Sequence, residues 1–232
     1  MPPAGAVHVV AGALTGEGGR ILIAQRPPGK PLAGGWEFPG GKLEPGETRR
    51  AGLARELAEE LGIVIREPRP LIRVRHTYPH GDVLIDVFVV TRYDGVPRGL
   101  DGQALRWLTQ EELERADLLP ADRPIVRALR LPERLSEVAN ACYDIDTTPR
   151  ERTAPPAADA DEARLRGRYC SGVDDAVIAA AGRADFVVLT DGLAPAPLER
   201  LCDAVEIPVY ARDLTLEAAW AAGATGVHTI AP

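Results

Sequence analysis

Gly41 to Ile63, reading GKLEPGETRRAGLARELAEELGI, decides how the first half of this chain folds. Between Thr48 and Leu61, the residues Ala51, Leu53, Ala54, Leu57, Ala58 and Leu61 recur at helical spacing and Gly62 supplies a stop, so the segment predicts a helix. At roughly 100° per residue, Glu56, Glu59 and Glu60 fall within about a third of the circumference, opposite the Leu53, Leu57 and Leu61 stripe. Like charges at these spacings repel, and no lysine stands on that face to offset them. A hard divalent cation, which takes several oxygen ligands, would relieve the crowding. Glu47 brings a fourth carboxylate to the start of the helix, and Gly40 and Gly41 leave a backbone bare enough to approach a metal or a phosphate. The plainer alternative is a solvated acidic helix face beside a turn.

Ahead of this stretch, Ala6 to Leu14 and Arg20 to Gln25 read as two strands joined by Thr15-Gly16-Glu17-Gly18-Gly19. Pro27 to Gly46 should be mostly loop, with Trp36-Glu37-Phe38 as a short strand. Behind it, Leu71 to Tyr78 and Val83 to Tyr93 read as strands hinged at Pro79-His80-Gly81, followed by a shorter strand from Leu105 to Leu108. Helical patterns at Thr109 to Ala116 and Ala121 to Leu131 complete a first unit, residues 1–134. Residues 135–163, and above all Thr147 to Glu162, are poor in bulky apolar side chains and predict a linker. In 164–232, strands at Arg166 to Tyr169, Phe186 to Thr190, Pro208 to Ala211 and Gly226 to Ile230 alternate with helices at Asp174 to Gly182, Pro197 to Ala204 and Thr215 to Ala222. That alternation implies right-handed crossovers and a small parallel sheet.

Composition narrows the chemistry. The 232 residues are 45% hydrophobic and 26% charged, ordinary for a globular chain, and carry a formal charge of -7. An acidic chain is poorly suited to a nucleic-acid polymer, whose backbone calls for clustered lysine and arginine. A free nucleotide can still approach an acidic cleft when divalent ions lie between the two. Cys142, Cys170 and Cys202 are odd in number and widely spaced, which suggests neither a disulfide framework nor a zinc site. The start has no leader pattern and no apolar run approaches a membrane span, so a cytoplasmic location is expected.

Gly41, Glu47, Arg55-Glu56-Leu57, Glu59-Glu60, Gly62 and Ile63 match every fixed position of the Nudix box, and the chain resembles the Nudix hydrolases. The resemblance implies an α/β fold, an N-terminal α/β/α sandwich with a mixed sheet. It implies that Glu56, Glu59, Glu60 and the Gly40 carbonyl hold Mg²⁺, with Mn²⁺ as the alternative, that Glu47 orients the site, and that Arg55 fixes the carboxylates by bidentate contacts. The general base would be one of the box glutamates or Asp101. Across about Val7 to Leu131 the likeness is closest to the MutT branch, which hydrolyses 8-oxo-dGTP to the monophosphate and pyrophosphate, a DNA-repair role. Ile21 to Arg26, Trp36 to Lys42 and Leu119 to Pro124 resemble its substrate-contacting segments, with Arg26 and Phe38 around the nucleotide and Tyr78 on the pocket wall. Where such proteins commonly carry an asparagine toward the oxidised purine, this chain has Asp122. An ionised aspartate only accepts hydrogen bonds, so an O6 carbonyl loses its donor unless Asp122 is protonated.

Ala184 to Leu189, Ile207 to Ala211 and Ala222 to Val227 resemble the last third of thiamine phosphate synthase, a TIM barrel. About Arg164 to Pro232 is far too short for a closed barrel. The family's glycine-rich phosphate loop is replaced by Arg212-Asp213-Leu214, so a remnant serving packing, homodimerisation or regulation is implied. Three functions follow: 8-oxo-dGTP hydrolysis, hydrolysis of a thiamine-pathway pyrophosphate or another nucleoside diphosphate derivative, and nucleotide sensing without turnover.

Overall fold

The structure, a computed structural model, describes residues 5–136, 143–146, 165–182 and 184–229. It divides into two compact units, Met1–Val126 and Arg127–Pro232.

In the first unit β1 (Val7–Leu14) runs through the middle of a mixed sheet. It pairs in parallel over eight residues with β7 (Gly81–Val90) and antiparallel with β4 (Gly40–Lys42), and β7 continues antiparallel to β6 (Arg69–Tyr78). A second sheet has β2 (Ile21–Gln25) between β3 (Trp36–Glu37) and β9 (Leu105–Leu108). A two-stranded ladder joins β5 (Val64–Arg66) to β8 (Arg92–Asp94).

The expected helix is α1 (Arg49–Leu61). The Thr48 hydroxyl caps it by accepting from the Ala51 N–H, which stabilises such an end by about 1 kcal/mol. Gly62 ends it in the left-handed region, at φ 68°, where glycine carries no Cβ penalty. Leu53, Leu57 and Leu61 are fully buried against Val10, Leu14, Leu22, Phe88 and Val90. Burial of each leucine contributes about 1.5–3 kcal/mol, and together they fix the helix on the sheet. A buried charge cluster secures its first turn. Asp86 meets His8 at 2.5 Å, Arg73 at 2.9 Å and Arg49 at 3.3 Å. Burial pushes the Asp86 carboxyl up, but the His8 hydrogen bond and the arginine charges bring it below the usual carboxylate range.

Expectations change in three places. The stretch from Pro27 to Gly46 contains a second strand, β4, and the expected strand Val83 to Tyr93 is two, broken at Thr91. Beyond β9, a capping box of Thr109 and Glu112 opens α2 (Gln110–Arg115). The final helical pattern divides into a 3-10 turn, Pro120–Asp122, and α3 (Arg123–Ala128).

The second unit holds a six-stranded parallel sheet where the sequence reading gave four strands. Its order is β10 (Arg134–Ser136), β15 (Gly226–Thr229), β14 (Val209–Ala211), β13 (Phe186–Leu189), β12 (Leu165–Cys170), β11 (Tyr143–Asp146). The four expected strands are β12 to β15, and the three expected helices are α4 (Val173–Ala181), α5 (Pro195–Ala204) and α6 (Leu216–Ala221). Both faces of the sheet are buried, as parallel sheets require. Val187, Leu189, Val209 and Ala211 pack with Ala179, Leu198, Leu201 and Ala219 of the helices. Phe186, Val188 and Tyr210 point the other way, to Leu131, Leu135 and Leu165. Strand β11 falls inside the stretch expected as linker and β10 runs into it from Arg134, while Thr147 to Glu162 and Cys142 lie outside the described residues.

Candidate active site

The site grows from the close approach of β4 to β1 and α1. Gly40 sits at φ 152°, and a Cβ there would stand 2.1 Å from the Val10 carbonyl oxygen. Gly41 faces the helix, where a Cβ would stand 2.2 Å from Glu56 Oε2. Two bare residues therefore let a carboxylate lie flat on the strand backbone.

Arg55 holds the carboxylates together. Its Nε and Nη2 donate to the two oxygens of Glu47, at 3.1 and 3.0 Å, the bidentate fork that guanidinium geometry favours. Nη1 donates to Glu56 at 2.9 Å and Glu59 at 3.2 Å, and Nη2 also reaches the Lys42 carbonyl at 3.0 Å. The pairing with Arg55 holds Glu47 below the usual carboxylate range.

The three helix glutamates are not equivalent. Side chains of Glu56 and Glu60 are 14% and 18% exposed, turned in toward β4, whereas Glu59 is 61% exposed. Glu60 accepts the Gly40 N–H at 3.3 Å. Burial pushes its carboxyl up to about 7; Lys30 and the Gly40 N–H pull against that, and Glu56 and Glu37 add to it. Lys30 is a contact that reading the helix face in isolation missed: it comes from the segment between β2 and β3, 3.9 Å from Glu60 and 3.7 Å from Asp101. The only signal for it in the sequence is its place in a proline-rich loop ahead of Trp36.

Five carboxylates, Glu47, Glu56, Glu59, Glu60 and Asp101, thus share two cations, Arg55 and Lys30. Among the described residues, no three histidine, cysteine, aspartate or glutamate side chains stand as a ready ligand set for one ion. The donor chemistry nevertheless fits a hard divalent cation: oxygen ligands, an excess of negative charge, and a buried glutamate whose ionised form lacks a full counter-charge.

A second cluster lies along β3. The Trp36 N–H donates to the Asp117 carbonyl and the Leu119 N–H to the Trp36 carbonyl, which brings the turn carrying Asp122 beside Phe38. Asp122 Oδ1 accepts the Phe38 N–H at 3.3 Å. The Asp122 carboxyl is almost wholly enclosed, and burial pushes it up to about 8, which favours the protonated form at neutral pH. Phe38 is itself buried, so its backbone rather than an open ring face serves this spot. Tyr78 lines the same region near the Ala121 backbone, raised by burial, with its ring stacked on His80 at 5.2 Å between centroids. Arg26 bonds Glu37 at 2.5 Å and the Pro31 carbonyl at 2.8 Å, which makes it, as placed, a clamp on its own loop.

The first unit is similar in sequence to known proteins. Residues 10–128 match the family model described as NUDIX domain. The CTP pyrophosphohydrolase of Escherichia coli is 38% identical over 122 residues, covering 53% of this chain and 90% of that protein. The 8-oxo-dGTP diphosphatase of Haemophilus influenzae is 35% identical over 123 residues, again 53% of this chain and 90% of that protein. Among solved structures, that of the E. coli ORF135 protein is 36% identical, covers 54% of this chain and 89% of its own, and has a TM-score of 0.49.

Proposed function

The chain belongs to the Nudix family and is a pyrophosphohydrolase; from that premise we propose that it cleaves 8-oxo-dGTP to the monophosphate and pyrophosphate with Mg²⁺. The cluster of Glu47, Arg55, Glu56 and Glu60 against Gly40 and Gly41 carries the reading. Glu56, Glu60, Glu59 and the Gly40 carbonyl would hold the ion. Held there, a divalent cation would supply charge neutralisation of the pyrophosphate and a more acidic water. Arg55 keeps Glu56 and Glu59 from repelling each other, and Glu47 fixes Arg55.

The substrate base is assigned to the Asp122 cluster. Protonated Asp122 accepts the Phe38 N–H through one oxygen and donates its own proton through the other, which supplies the donor an O6 carbonyl needs. A second reading rests on the same residue. Ionised Asp122 only accepts, and would suit the amino group of a cytosine, the base in the name of the E. coli relative.

For the second unit we infer a remnant resembling thiamine phosphate synthase that self-associates through its sheet edges. Strand order following chain order from β11 to β15 supports the likeness. No helix among the described residues is long and apolar enough to cross a membrane, and a cytoplasmic location suits a sanitiser of free nucleotides.

Pyrophosphate and orthophosphate release from 8-oxo-dGTP, dGTP, CTP, ADP-ribose and thiamine pyrophosphate, with and without Mg²⁺, tests the proposal in wild type and Glu59→Gln. Metal-dependent pyrophosphate release favouring 8-oxo-dGTP, reduced in the variant, is expected. Preference for CTP promotes the second reading, and preference for thiamine pyrophosphate or no turnover defeats both.

A further inference from the structure

Lys30 brings its ammonium to the helix carboxylates, and the loop that carries it is built to hold it there. The ends of the loop are tied by the Arg26 N–H to the Gly35 carbonyl at 2.9 Å and the Gly34 N–H to the Arg26 carbonyl at 3.0 Å. Side chains of Gln25 and Arg26 bind the Gly34 and Pro31 carbonyls at 2.9 and 2.8 Å. Pro27, Pro28 and Pro31 restrict the backbone around the lysine. On the far side, the Leu100 N–H and the Gln103 side chain both donate to the Glu60 main-chain carbonyl, at 2.9 and 3.1 Å, and the Asp101 N–H is held by Gln103 at 2.9 Å. A stiff loop and an anchored loop thus flank one helix carboxylate, with the ammonium spanning the gap.

At 3.9 Å from Glu60 and 3.7 Å from Asp101 the ammonium lies beyond hydrogen-bond length, and it is about half exposed. Such pairs are weak. A divalent ion has twice the charge and would compete with the ammonium for Glu60. A displaced ammonium is repelled by the ion but attracted by a polyphosphate arriving beside it, and the flexible stem of lysine lets it turn between the two.

Resting on the metal-dependent reading above, we propose that Lys30 binds the phosphate chain of the substrate, resting between Glu60 and Asp101 until a divalent ion would take Glu60 and free the ammonium for the phosphates. Two effects of opposite sign follow for Lys30→Met. Mn²⁺ binding to the nucleotide-free chain, followed by electron paramagnetic resonance, should tighten about fivefold, the order of parting one unit-charge pair about 4 Å apart in water. Binding of inorganic tripolyphosphate at saturating Mn²⁺ should weaken about tenfold, the loss of one charge-assisted contact, and Lys30→Arg should restore both. Unchanged or weaker Mn²⁺ affinity in Lys30→Met overturns the competition, and unchanged tripolyphosphate affinity overturns the hand-over. Neither measurement needs turnover, so a wild-type chain that hydrolyses no nucleotide would defeat the pyrophosphohydrolase assignment while Lys30 is still tested.

Discussion

Replacing Gly41 with alanine should disable the site while leaving the fold nearly intact. Gly41 is not among the residues at positive φ, so its backbone accepts a side chain. The obstacle is Glu56: the new Cβ would lie 2.2 Å from Oε2, 2.3 Å from Cδ and 2.5 Å from Oε1. Ordinary contact begins about 1 Å further out, so the carboxylate must retreat by roughly that much. It cannot do so independently, because Arg55 holds Glu56 at 2.9 Å while gripping Glu47 with two further bonds. A displacement of about 1 Å at a reacting centre costs about 100-fold in rate. The stability cost should be near 1 kcal/mol, the low end for overpacking, since the crowded atoms end a side chain. The assay is kcat/KM by pyrophosphate release with Mg²⁺, beside a thermal melt. Gly46→Ala is the control: its φ of 81° strains alanine, yet no atom lies within 4 Å of the new carbon. It should lower Tm with little effect on kcat/KM. A Gly41→Ala enzyme within threefold of wild type would refute the idea that Glu56 must rest on a bare strand.

Arg55→Lys removes the fork that bonds Glu47 twice, so kcat/KM should fall about 10- to 100-fold and the Mg²⁺ concentration for half-maximal rate should rise; a metal titration of the rate checks both. Asp122 holds its proton in the folded chain up to about pH 8 but only to its ordinary 3.8 when unfolded. Its contribution to stability is therefore complete below about pH 4 and lost as pH rises through about 8, and melts across that range should fall more steeply for wild type than for Asp122→Asn. Glu60 titrates alike in both proteins and cancels from the difference. If the protonated carboxyl selects the purine, wild type should also lose 8-oxo-dGTP preference over CTP above pH 8 while Asp122→Asn keeps it, as a ratio of kcat/KM values at pH 6.5 and 9 would show. In the second unit, Gly167→Ala sets a Cβ 2.3 Å from the buried Phe186 ring. It should destabilise that unit by about 1–3 kcal/mol by calorimetry, with hydrolysis at 25 °C unchanged within twofold.

The period and glycine stop of α1 are local signals and both are found in the structure, while Thr48, read as the start of the helix, is its cap. The carboxylates are legible for the same reason, and Arg55 through its place in the Nudix box. The strand at Gly40 to Lys42 is not, because glycines have no side-chain alternation to read and its pairing is set by β1, some thirty residues away in sequence. Lys30 escapes notice because its partners lie on a helix and a loop about 30 and 70 residues further along. Asp122 is visible as an unusual residue, but its protonation depends on burial that only the packing of the 117–122 segment along β3 creates. The short strands β5, β8 and β10 span three residues each, too few for a two-residue period to emerge.

The pairing of β10 with β15 has a consequence for how the protein is made. Arg134 lies beside Val227, 93 positions later, so the first described strand of the second sheet receives its neighbour only after all the others have left the ribosome. At about 5–20 residues per second this leaves β10 waiting for roughly 5 to 20 seconds. Every strand pair of the first unit, by contrast, is complete by Leu108. The nucleotide-handling half can therefore fold during synthesis while the other half still exposes an unpaired, chaperone-attracting edge.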